Sequence, residues 1–421
     1  MKSRKPLRVA MLSVHTCPLA TLGGKKTGGM NVYVRELSTE LGRRGIFVDV
    51  FTRSQDPCVP HINETDLGDC ARVVHIPAGP ESPLSTVDNY PHLPEFSNNV
   101  RAFAAHEGLE YDLIHSHYWL SGVVAKTLKQ AWGIPFIQMF HTLGHMKNRI
   151  AGIDGAVEED LRIQIEYQLM HQADWLVAAT PAERIQLMWL YNAESRKIQT
   201  ISPGVDVKQF YPIPRSKARQ VIGIPEEDHF LLFVGRIEPL KGIDTLLQAI
   251  ALLKARLPEG LPKLSLSIIG GLEDEEDQSD EMKRLRTLRE ELGLGELVTF
   301  LGAKSQETLQ YYYSAAEAVV MPSHYESFGM VALEAMACGT PVIASEVGGL
   351  AYLVQDGVTG FHVPTNDPMP LADKIDLLLT SNVLQHEMSH AAHDWARQYS
   401  WQRIADRIED LYTEALDTQN G

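Results

Sequence analysis

The residues best suited to chemistry lie between Ser323 and Glu334. Glu326 and Glu334 are separated by seven residues, and a Ser-Phe-Gly turn between them leads into an apolar stretch that predicts a helix ending at Cys338. A helix N-terminus offers free N–H groups and a partial positive charge. Glu326 precedes this helix, and Glu334 is expected about two turns into it. The segment therefore predicts a site for a phosphorylated, hydroxyl-rich ligand.

Two cations follow the first apolar run of the second half. Arg236 and Lys241 stand five residues apart around a Glu-Pro turn in Gly235–Gly242. An arginine fork and a lysine point charge can converge on one anion. Taken alone, the pair is more typical of exposed cations that are solvated or form salt bridges. Because Glu326 and Glu334 are predicted at the same edge of the same sheet, anion binding becomes the better interpretation.

A glycine-rich stretch, Gly23 to Asn31, lies between the first predicted strand and the first long helix. Its glycines allow a backbone to approach a ligand closely, but it matches neither the dinucleotide fingerprint nor the Walker pattern. A surface loop and a phosphate-binding loop are both compatible with this stretch.

Histidines end two predicted strands of the first half. His141 closes one strand and is followed by Lys147, a placement that favours ligand contact in a cleft. His115 and His117 end another strand, but no nearby carboxylate completes a metal site, and we predict no metal. Arg162 stands four residues before Glu166, so it could form an intrahelical ion pair or grip a ligand phosphate.

Composition limits the function classes. The chain has 421 residues and a net charge of −16, which argues for more than one domain and against nucleic-acid or anionic-membrane partners. Its four cysteines form no C-x-x-C pair and predict reduced cytosolic thiols. We find no signal peptide and no membrane span, so a cytoplasmic location is expected. The oligomeric state stays open.

Apolar runs alternate with helical stretches in both halves of the chain. This alternation predicts an α/β protein with two doubly wound, Rossmann-like parallel sheets facing a cleft. Proline-rich residues 206–214 predict a hinge between a first domain at 1–205 and a second at 215–395. A closing helix is expected within 396–421, and periodicity leaves open whether it returns to the first domain.

Several segments together resemble the retaining nucleotide-sugar glycosyltransferases of the GT-B fold, glycosyltransferase family 4. They are Gly28 to Val34, His115 to Trp119, Phe140 to Gly144, Ser202 to Asp206, Gly235-Arg236 with Lys241-Gly242, and Glu326 with Glu334. The resemblance covers nearly the whole chain. It is strongest to sucrose-phosphate synthase, with the inositol-phosphate glycosyltransferase of mycothiol synthesis as a close second.

The resemblance implies a role for each matching residue on the donor side. Arg236 and Lys241 would hold the donor diphosphate, which Gly28 and Gly29 approach from the other domain. Glu334 would bind the ribose, and His141 the C6 hydroxyl of the transferred sugar. Glu326 would bind another sugar hydroxyl, together with the backbone amides of Phe328, Gly329 and Met330. The donor is expected to carry UDP, and no obligatory metal or other cofactor is implied.

The acceptor side follows from the same resemblance. Tyr118, Thr142, Lys147 and Arg162 match positions that hold an acceptor phosphate, and Asn31 would line this side. The segment Tyr90 to Phe96 favours fructose 6-phosphate; His115 to Gly122 favours inositol 3-phosphate. We expect glucose transfer to fructose 6-phosphate, with N-acetylglucosamine transfer to inositol 3-phosphate as the alternative. A different class, a two-lobed binding protein without turnover, would need the same ligand residues but release no nucleoside diphosphate.

The turn Ala78-Gly-Pro80 departs from the family pattern. Relatives usually carry a lysine after it that reaches the acceptor phosphate, and this chain has none there. Either Lys147 and Arg162 suffice, or the acceptor binds more weakly, or the acceptor differs.

Overall fold

The protein contains two separate β-sheets, each covered by helices, in a computed structural model that describes residues 6–20, 28–154, 160–256, 263–271 and 279–420. Both sheets are built from parallel strands apart from one short antiparallel edge strand. This confirms the predicted α/β class with two Rossmann-like sheets. Buried apolar residues fill the space between each sheet and its helices.

The first sheet has eight strands in the order β3-β4-β2-β1-β5-β6-β7-β8. Its strands are β1 (Arg8–Leu12), β2 (Phe47–Arg53), β3 (Ile62–Asn63), β4 (Ala71–Ile76), β5 (Leu113–His117), β6 (Phe136–Met139), β7 (Trp175–Ala178) and β8 (Ile198–Thr200). Seven helices connect them: α1 (Gly29–Arg43), α2 (Thr86–Asn89), α3 (Leu93–His106), α4 (Tyr118–Trp132), α5 (Gly144–Asp154), α6 (Asp160–Gln172) and α7 (Pro181–Tyr191). We call these elements together the first lobe.

The second sheet has six parallel strands in the order β11-β10-β9-β12-β13-β14. They are β9 (His229–Val234), β10 (Leu264–Ile269), β11 (Val298–Phe300), β12 (Ala318–Met321), β13 (Val342–Ser345) and β14 (Gly360–Val363). Its helices are α8 (Arg215–Ile222), α9 (Ile243–Arg256), α10 (Asp280–Glu291), α11 (Gln306–Ala315), α12 (Met330–Ala337), α13 (Leu350–Leu353), α14 (Pro368–Thr380) and α15 (Asn382–Ala396). These elements form the second lobe.

Two strands lack the long apolar run that predicts a buried strand from the sequence. β3 has only two residues and pairs antiparallel at the edge of its sheet. β14 reads Gly-Phe-His-Val, and its glycine lies so close to β13 that an added Cβ would stand 1.9 Å from the Val342 carbonyl oxygen. Strands that short, or begun by a glycine, give little periodicity.

The closing helix α16 (Trp401–Asn420) packs against α1 of the first lobe, which answers the question that periodicity left open. Arg44, at the end of α1, donates hydrogen bonds to Asp406 at 2.6 Å and to Glu409 at 2.7 Å. Tyr412 forms a 2.8 Å hydrogen bond with Nδ1 of the buried His115 on β5. The chain thus crosses to the second lobe and returns.

The carboxyl ends of the strands in both lobes face one cleft. Helix α5 of the first lobe contacts the short 3-10 turn Pro239–Lys241 of the second. Arg35 on α1 donates a 2.6 Å hydrogen bond to the Gln306 side chain on α11. The lobes therefore touch on two sides of the cleft. No helix within the described ranges has the length and apolar character that crossing a membrane requires.

The bond between α16 and β5 gives a test of the helix's return. Tyr412→Phe leaves the Nδ1 atom of buried His115 without its partner, so we expect a loss of about 1–2 kcal/mol in the free energy of unfolding. Thermal or urea denaturation measures it. Tyr167→Phe, which removes a hydroxyl from a half-exposed tyrosine, is the matched control. Equal stability of both variants would contradict the assigned bond.

Candidate active site

The cleft between the lobes has a volume of about 390 Å³ and is lined from both sides. Residues predicted from the sequence make up much of its wall. From the first lobe these are Gly28, Gly29, Asn31, Tyr118, His141, Thr142 and Lys147; from the second they are Arg236, Lys241, Glu326, Phe328, Gly329 and Met330. Of the predicted site residues, Arg162 and Glu334 lie outside this set, each in an adjoining pocket.

Both predicted cations face the cleft with an acidic partner. Lys241 pairs with Glu326 at 2.6 Å, and both side chains are mostly buried. Arg236 pairs with Glu238 at 2.7 Å, although its side chain is 47% exposed. An ion pair at a solvated surface contributes little to stability, so Arg236 can exchange Glu238 for a ligand anion at small cost. Lys241 holds the Glu326 carboxylate next to the place where a ligand anion bound to Arg236 would lie.

Two glycines let the cationic turn and the glutamate loop pack closely. Gly242 has a φ of +63°, and a Cβ there would stand 2.2 Å from the Pro322 carbonyl oxygen. Gly329, which precedes α12, has a φ of +105°. Both backbones are in the left-handed region that favours glycine. Larger residues would push Lys241 and Glu326 apart or tilt the start of α12.

The loop that carries Glu326 packs against a pair of glycines, Gly348 and Gly349, that the sequence analysis did not single out. The backbone N–H of Gly349 donates to the Glu326 carbonyl oxygen at 2.8 Å. A Cβ on Gly348 would stand 2.1 Å from that same oxygen, and one on Gly349 would stand 2.2 Å from Phe328 Cα. The Gly-Gly dipeptide after β13 was the available signal for this close backbone approach.

Glu334 is the fifth residue of α12 and lies in its second turn, where about two turns were predicted. Its carboxylate accepts a 2.8 Å hydrogen bond from the Tyr313 hydroxyl and faces a small side pocket shared with Gln306 and Trp401. Burial raises the pKa of Glu334 to about 7, although the bond from Tyr313 opposes this shift. The Glu334 carboxyl group thus lies in a buried pocket beside the middle of α12.

On the first lobe, the start of α1 faces α12 across the cleft. A Cβ on Gly29 would lie 3.4 Å from Met330 Cγ, so the two helix starts approach closely. Asn31 lines the cleft but uses its amide locally, donating to the Thr16 hydroxyl at 2.6 Å and accepting from the Gly28 N–H at 3.1 Å. The predicted glycine loop falls partly on residues 21–27, which lie outside the described residues.

His141 and Tyr118 both have left-handed backbones, with φ values of +61° and +74°. Non-glycine residues in this region carry a strain of roughly 1–3 kcal/mol and cluster at functional sites. A 3.0 Å hydrogen bond joins Nε2 of His141 to Nδ1 of His117. Burial lowers the pKa of His141 to about 3, with His115 and His15 adding a smaller effect, so the ring is neutral near pH 7.

A second pocket of about 280 Å³ adjoins the cleft. Tyr118 and Lys147 line both spaces, and Arg162 and Tyr90 line the second one. Arg162 forms the intrahelical pair that its spacing allowed: it donates to Glu166 at 2.7 Å, and its guanidinium lies over the Tyr118 ring at 4.9 Å. Its contact with a ligand phosphate stays a prediction. The intrahelical pair positions a cation at the pocket wall.

Thr142 lines the cleft and is hydrogen-bonded to Arg162, which lines the second pocket. Arg162 Nη2 donates to the Thr142 carbonyl at 2.9 Å and to its hydroxyl at 3.1 Å. Glu166, fully buried, also accepts from the Gly144 N–H at 3.0 Å and from the Tyr191 hydroxyl. The segment after His141 is therefore fixed by a buried network that the four-residue Arg-Glu spacing did not reveal.

Other cleft residues were not predicted individually as site residues. They follow strands of both sheets and line the space: His15 and Thr16 after β1, Pro203 after β8, and Ser323 and Ser327 after β12. His115 and His117 are fully buried on β5. Within the described ranges, no group of three or more His, Cys, Asp and Glu side chains is arranged to hold a metal ion.

Comparison with known proteins identifies the family. The family described as "Glycosyltransferase Family 4" matches residues 27–209, and that described as "Glycosyl transferases group 1" matches residues 214–395. A D-inositol 3-phosphate glycosyltransferase of Saccharomonospora viridis is 41% identical over 417 residues, covering 99% of this chain and 96% of the relative. The chain is a GT-B glycosyltransferase of family 4.

Solved structures share this fold, and a second relative resembles the sequence. Sucrose-phosphate synthase from Thermosynechococcus elongatus is 34% identical with a TM-score of 0.88, over 98% of this chain and all of that one. HepE from Anabaena, in complex with UDP and glucose, has a TM-score of 0.75 at 20% identity over 97% of this chain and all of that one, a likeness of fold alone. The D-inositol 3-phosphate glycosyltransferase of Corynebacterium jeikeium is 39% identical over 411 residues, 97% of each chain.

Glu334→Gln should alter how stability depends on pH in this glycosyltransferase. The carboxyl pKa rises from 4.5 to about 7 on folding, so the folded protein still holds a proton that the unfolded chain has released. Stability therefore falls as pH rises between these values, and it stays lower above pH 7. A glutamine side chain does not titrate in this range, so the Glu334→Gln variant does not lose stability in this way.

Relative to the wild type, the Gln variant should gain up to about 3 kcal/mol in unfolding free energy between pH 4.5 and pH 8. Urea denaturation at several pH values measures the difference. The exposed Glu307→Gln should run parallel to the wild type. A parallel curve for Glu334→Gln as well would refute the raised pKa.

Proposed function

We propose that this protein transfers a hexosyl group from a nucleotide sugar, with retention of anomeric configuration, to a hydroxyl of a phosphorylated polyol or sugar. One observation carries this proposal. The cleft lined by Arg236, Lys241 and Glu326 adjoins the pocket lined by Arg162, and Tyr118 and Lys147 form part of both walls. Two cationic subsites joined in this way suit a diphosphate donor and a phosphate-bearing acceptor.

The donor would lie across the two helix starts. Arg236 and Lys241 hold its diphosphate, while Gly28 and Gly29 leave room for it on the first lobe. Glu326 and the amides of Phe328, Gly329 and Met330 bind the sugar hydroxyls, His141 the C6 hydroxyl, and Glu334 the ribose. The donor's nucleotide is proposed as UDP, supported by HepE, which was solved with UDP and with UDP-glucose.

Chemistry in this cleft rests on positioning and charge. Glu326 is the one carboxylate among the described residues that line it, and it is paired with Lys241. The bond from the anomeric carbon to the diphosphate breaks, and the acceptor oxygen bonds to the same face of the sugar. The acceptor proton passes to a diphosphate oxygen. Arg236 and Lys241 stabilise the negative charge that develops on the departing diphosphate.

Two acceptors are supported by different observations. Inositol 3-phosphate is favoured because the 41% identical relative, which matches 99% of the chain, is named for it. Fructose 6-phosphate, the acceptor favoured by the motif around Tyr90, is supported by the likeness to sucrose-phosphate synthase. Tyr90 lines the acceptor pocket beside Thr86. We place inositol 3-phosphate first because the sequence identity is higher over the same length.

A substrate panel tests the proposal. Nucleotide sugars based on UDP, ADP and GDP are each incubated with inositol 3-phosphate and with fructose 6-phosphate. We expect release of nucleoside diphosphate and a phosphorylated disaccharide-type product, identified by mass, with its anomeric configuration assigned by NMR. An inverted product would exclude the same-face mechanism. Nucleotide binding with no turnover for any pair would instead indicate a binding protein.

Lys241→Ala should lower kcat by roughly two to three orders of magnitude, because the cation that stabilises the leaving diphosphate is lost. The fold should persist, since Lys241 lies on a turn at the cleft wall. Lys283→Ala, on the exposed face of α10, is the matched control and should keep wild-type turnover. Near-normal kcat in Lys241→Ala, measured as nucleoside diphosphate release, would remove Lys241 from this role.

Lys147→Ala should raise the KM for the phosphorylated acceptor by roughly 10- to 100-fold, because a charge-assisted contact contributes about 1.5–3 kcal/mol. The KM for the nucleotide sugar should change little. The unphosphorylated acceptor, inositol or fructose, serves as the control, since its slow reaction should be indifferent to Lys147. An equal effect on both acceptor forms would show that Lys147 does not meet the phosphate.

A further inference from the structure

Two buried histidines lie on the same face of β5 and form hydrogen bonds with different partners. His115 and His117 are two residues apart, and their ring centroids lie 4.5 Å from each other. His115 bonds through Nδ1 to Tyr412 on α16 at 2.8 Å. His117 bonds through Nδ1 to Nε2 of His141 at 3.0 Å. One histidine therefore serves the C-terminal helix, and the other reaches a residue of the cleft wall.

The bond between His117 and His141 joins two neutral rings. Burial, with the nearby imidazoles adding to it, holds the pKa of His117 well below its usual range and that of His141 at about 3. A neutral imidazole has one N–H donor and one acceptor nitrogen. One ring therefore donates and the other accepts, and Nε2 of His141 is occupied whichever ring carries the shared proton. Nδ1 is the ring nitrogen that His141 retains for a ligand in the cleft.

The surroundings hold this geometry. Tyr33, fully buried, has its ring 5.5 Å from that of His117 and 5.3 Å from that of His141. Trp401 packs edge-on against Tyr33 at 5.5 Å. His141 also starts from a left-handed backbone, which restricts the directions its ring can take. Turning the ring of His141 would break its bond to His117 within a closely packed aromatic cluster.

We propose that His117 is a positioning residue for hexosyl transfer: its Nδ1 holds Nε2 of His141 so that Nδ1 of His141 faces the donor sugar. This proposal rests on the function proposed above. His117 itself does not line the cleft, so it acts through His141. The two histidines of the His-x-His spacing would then have different roles, positioning at the cleft and anchoring of α16.

Substitutions at residue 117 separate positioning from simple packing. The side-chain amide of asparagine reaches the place of Nδ1 in histidine, whereas that of glutamine reaches the place of Nε2. We therefore expect His117→Asn to keep kcat/KM for the donor within about threefold, and His117→Gln and His117→Phe to lose roughly 10- to 100-fold. Equal loss in Asn and Gln variants of equal melting temperature would overturn the proposal.

A double-mutant cycle adds a second readout. If His117 acts through His141, the variant that combines His117→Gln with His141→Ala should be no slower than His141→Ala alone. Additive losses would overturn the proposal. His115→Phe is the control on the same strand, because it loses the Tyr412 bond. It should lower the melting temperature and leave the donor kcat/KM unchanged.

The outcome stays separable from the proposed function. If the wild-type protein transfers no hexosyl group to any acceptor, calorimetric titration with UDP-glucose replaces turnover as the readout. Asparagine at residue 117 should then keep the Kd within about threefold, and glutamine should weaken it by roughly tenfold. Equal Kd values for the Asn and Gln variants would reject the positioning role, whatever the fate of the transferase proposal.

Discussion

The ion pair between Lys241 and Glu326 is the interaction on which the rest of the cleft depends. A chain with a net charge of −16 must meet a phosphorylated ligand with local positive charge. The pair lies 2.6 Å apart in a largely buried setting, where charges interact more strongly than in water. It joins the cationic turn after β9 to the loop after β12, which are neighbouring strands of the second sheet. Both loops must therefore keep their spacing.

Glycines maintain that spacing by allowing backbones to touch. Gly242 lies against the Pro322 carbonyl, and Gly348 against the Glu326 carbonyl. On the opposite lobe, Gly29 lies against Met330. A methyl group at Gly242 or Gly348 would overlap a backbone oxygen, which cannot move as a flexible side chain can. The shape of the cleft therefore depends on these glycines, which have no side chain, as well as on the charged residues.

The first lobe positions its groups through buried polar contacts instead. Arg162 and Glu166 hold the segment after His141, and His117 holds His141 itself. These networks begin from left-handed residues at the ends of β5 and β6, where the chain turns sharply to present side chains to the cleft. The surrounding hydrogen bonds fix these backbone conformations, so the strain at these positions persists. The cleft and the second pocket consequently share one wall at Tyr118.

The sequence by itself determined the two parallel sheets, because long apolar runs alternating with amphipathic helices leave few other packings. It also identified Arg236, Lys241, Glu326 and His141 as residues at strand ends, since parallel strands deliver their carboxyl ends to one edge. Short or glycine-led strands such as β3 and β14 were missed, because they lack periodicity. Tertiary structure decided the rest. Whether α16 returns to the first lobe, which nitrogen of His141 is occupied, and which loop Gly349 supports all depend on contacts between residues far apart in the chain. Local spacing carries no information about such partners.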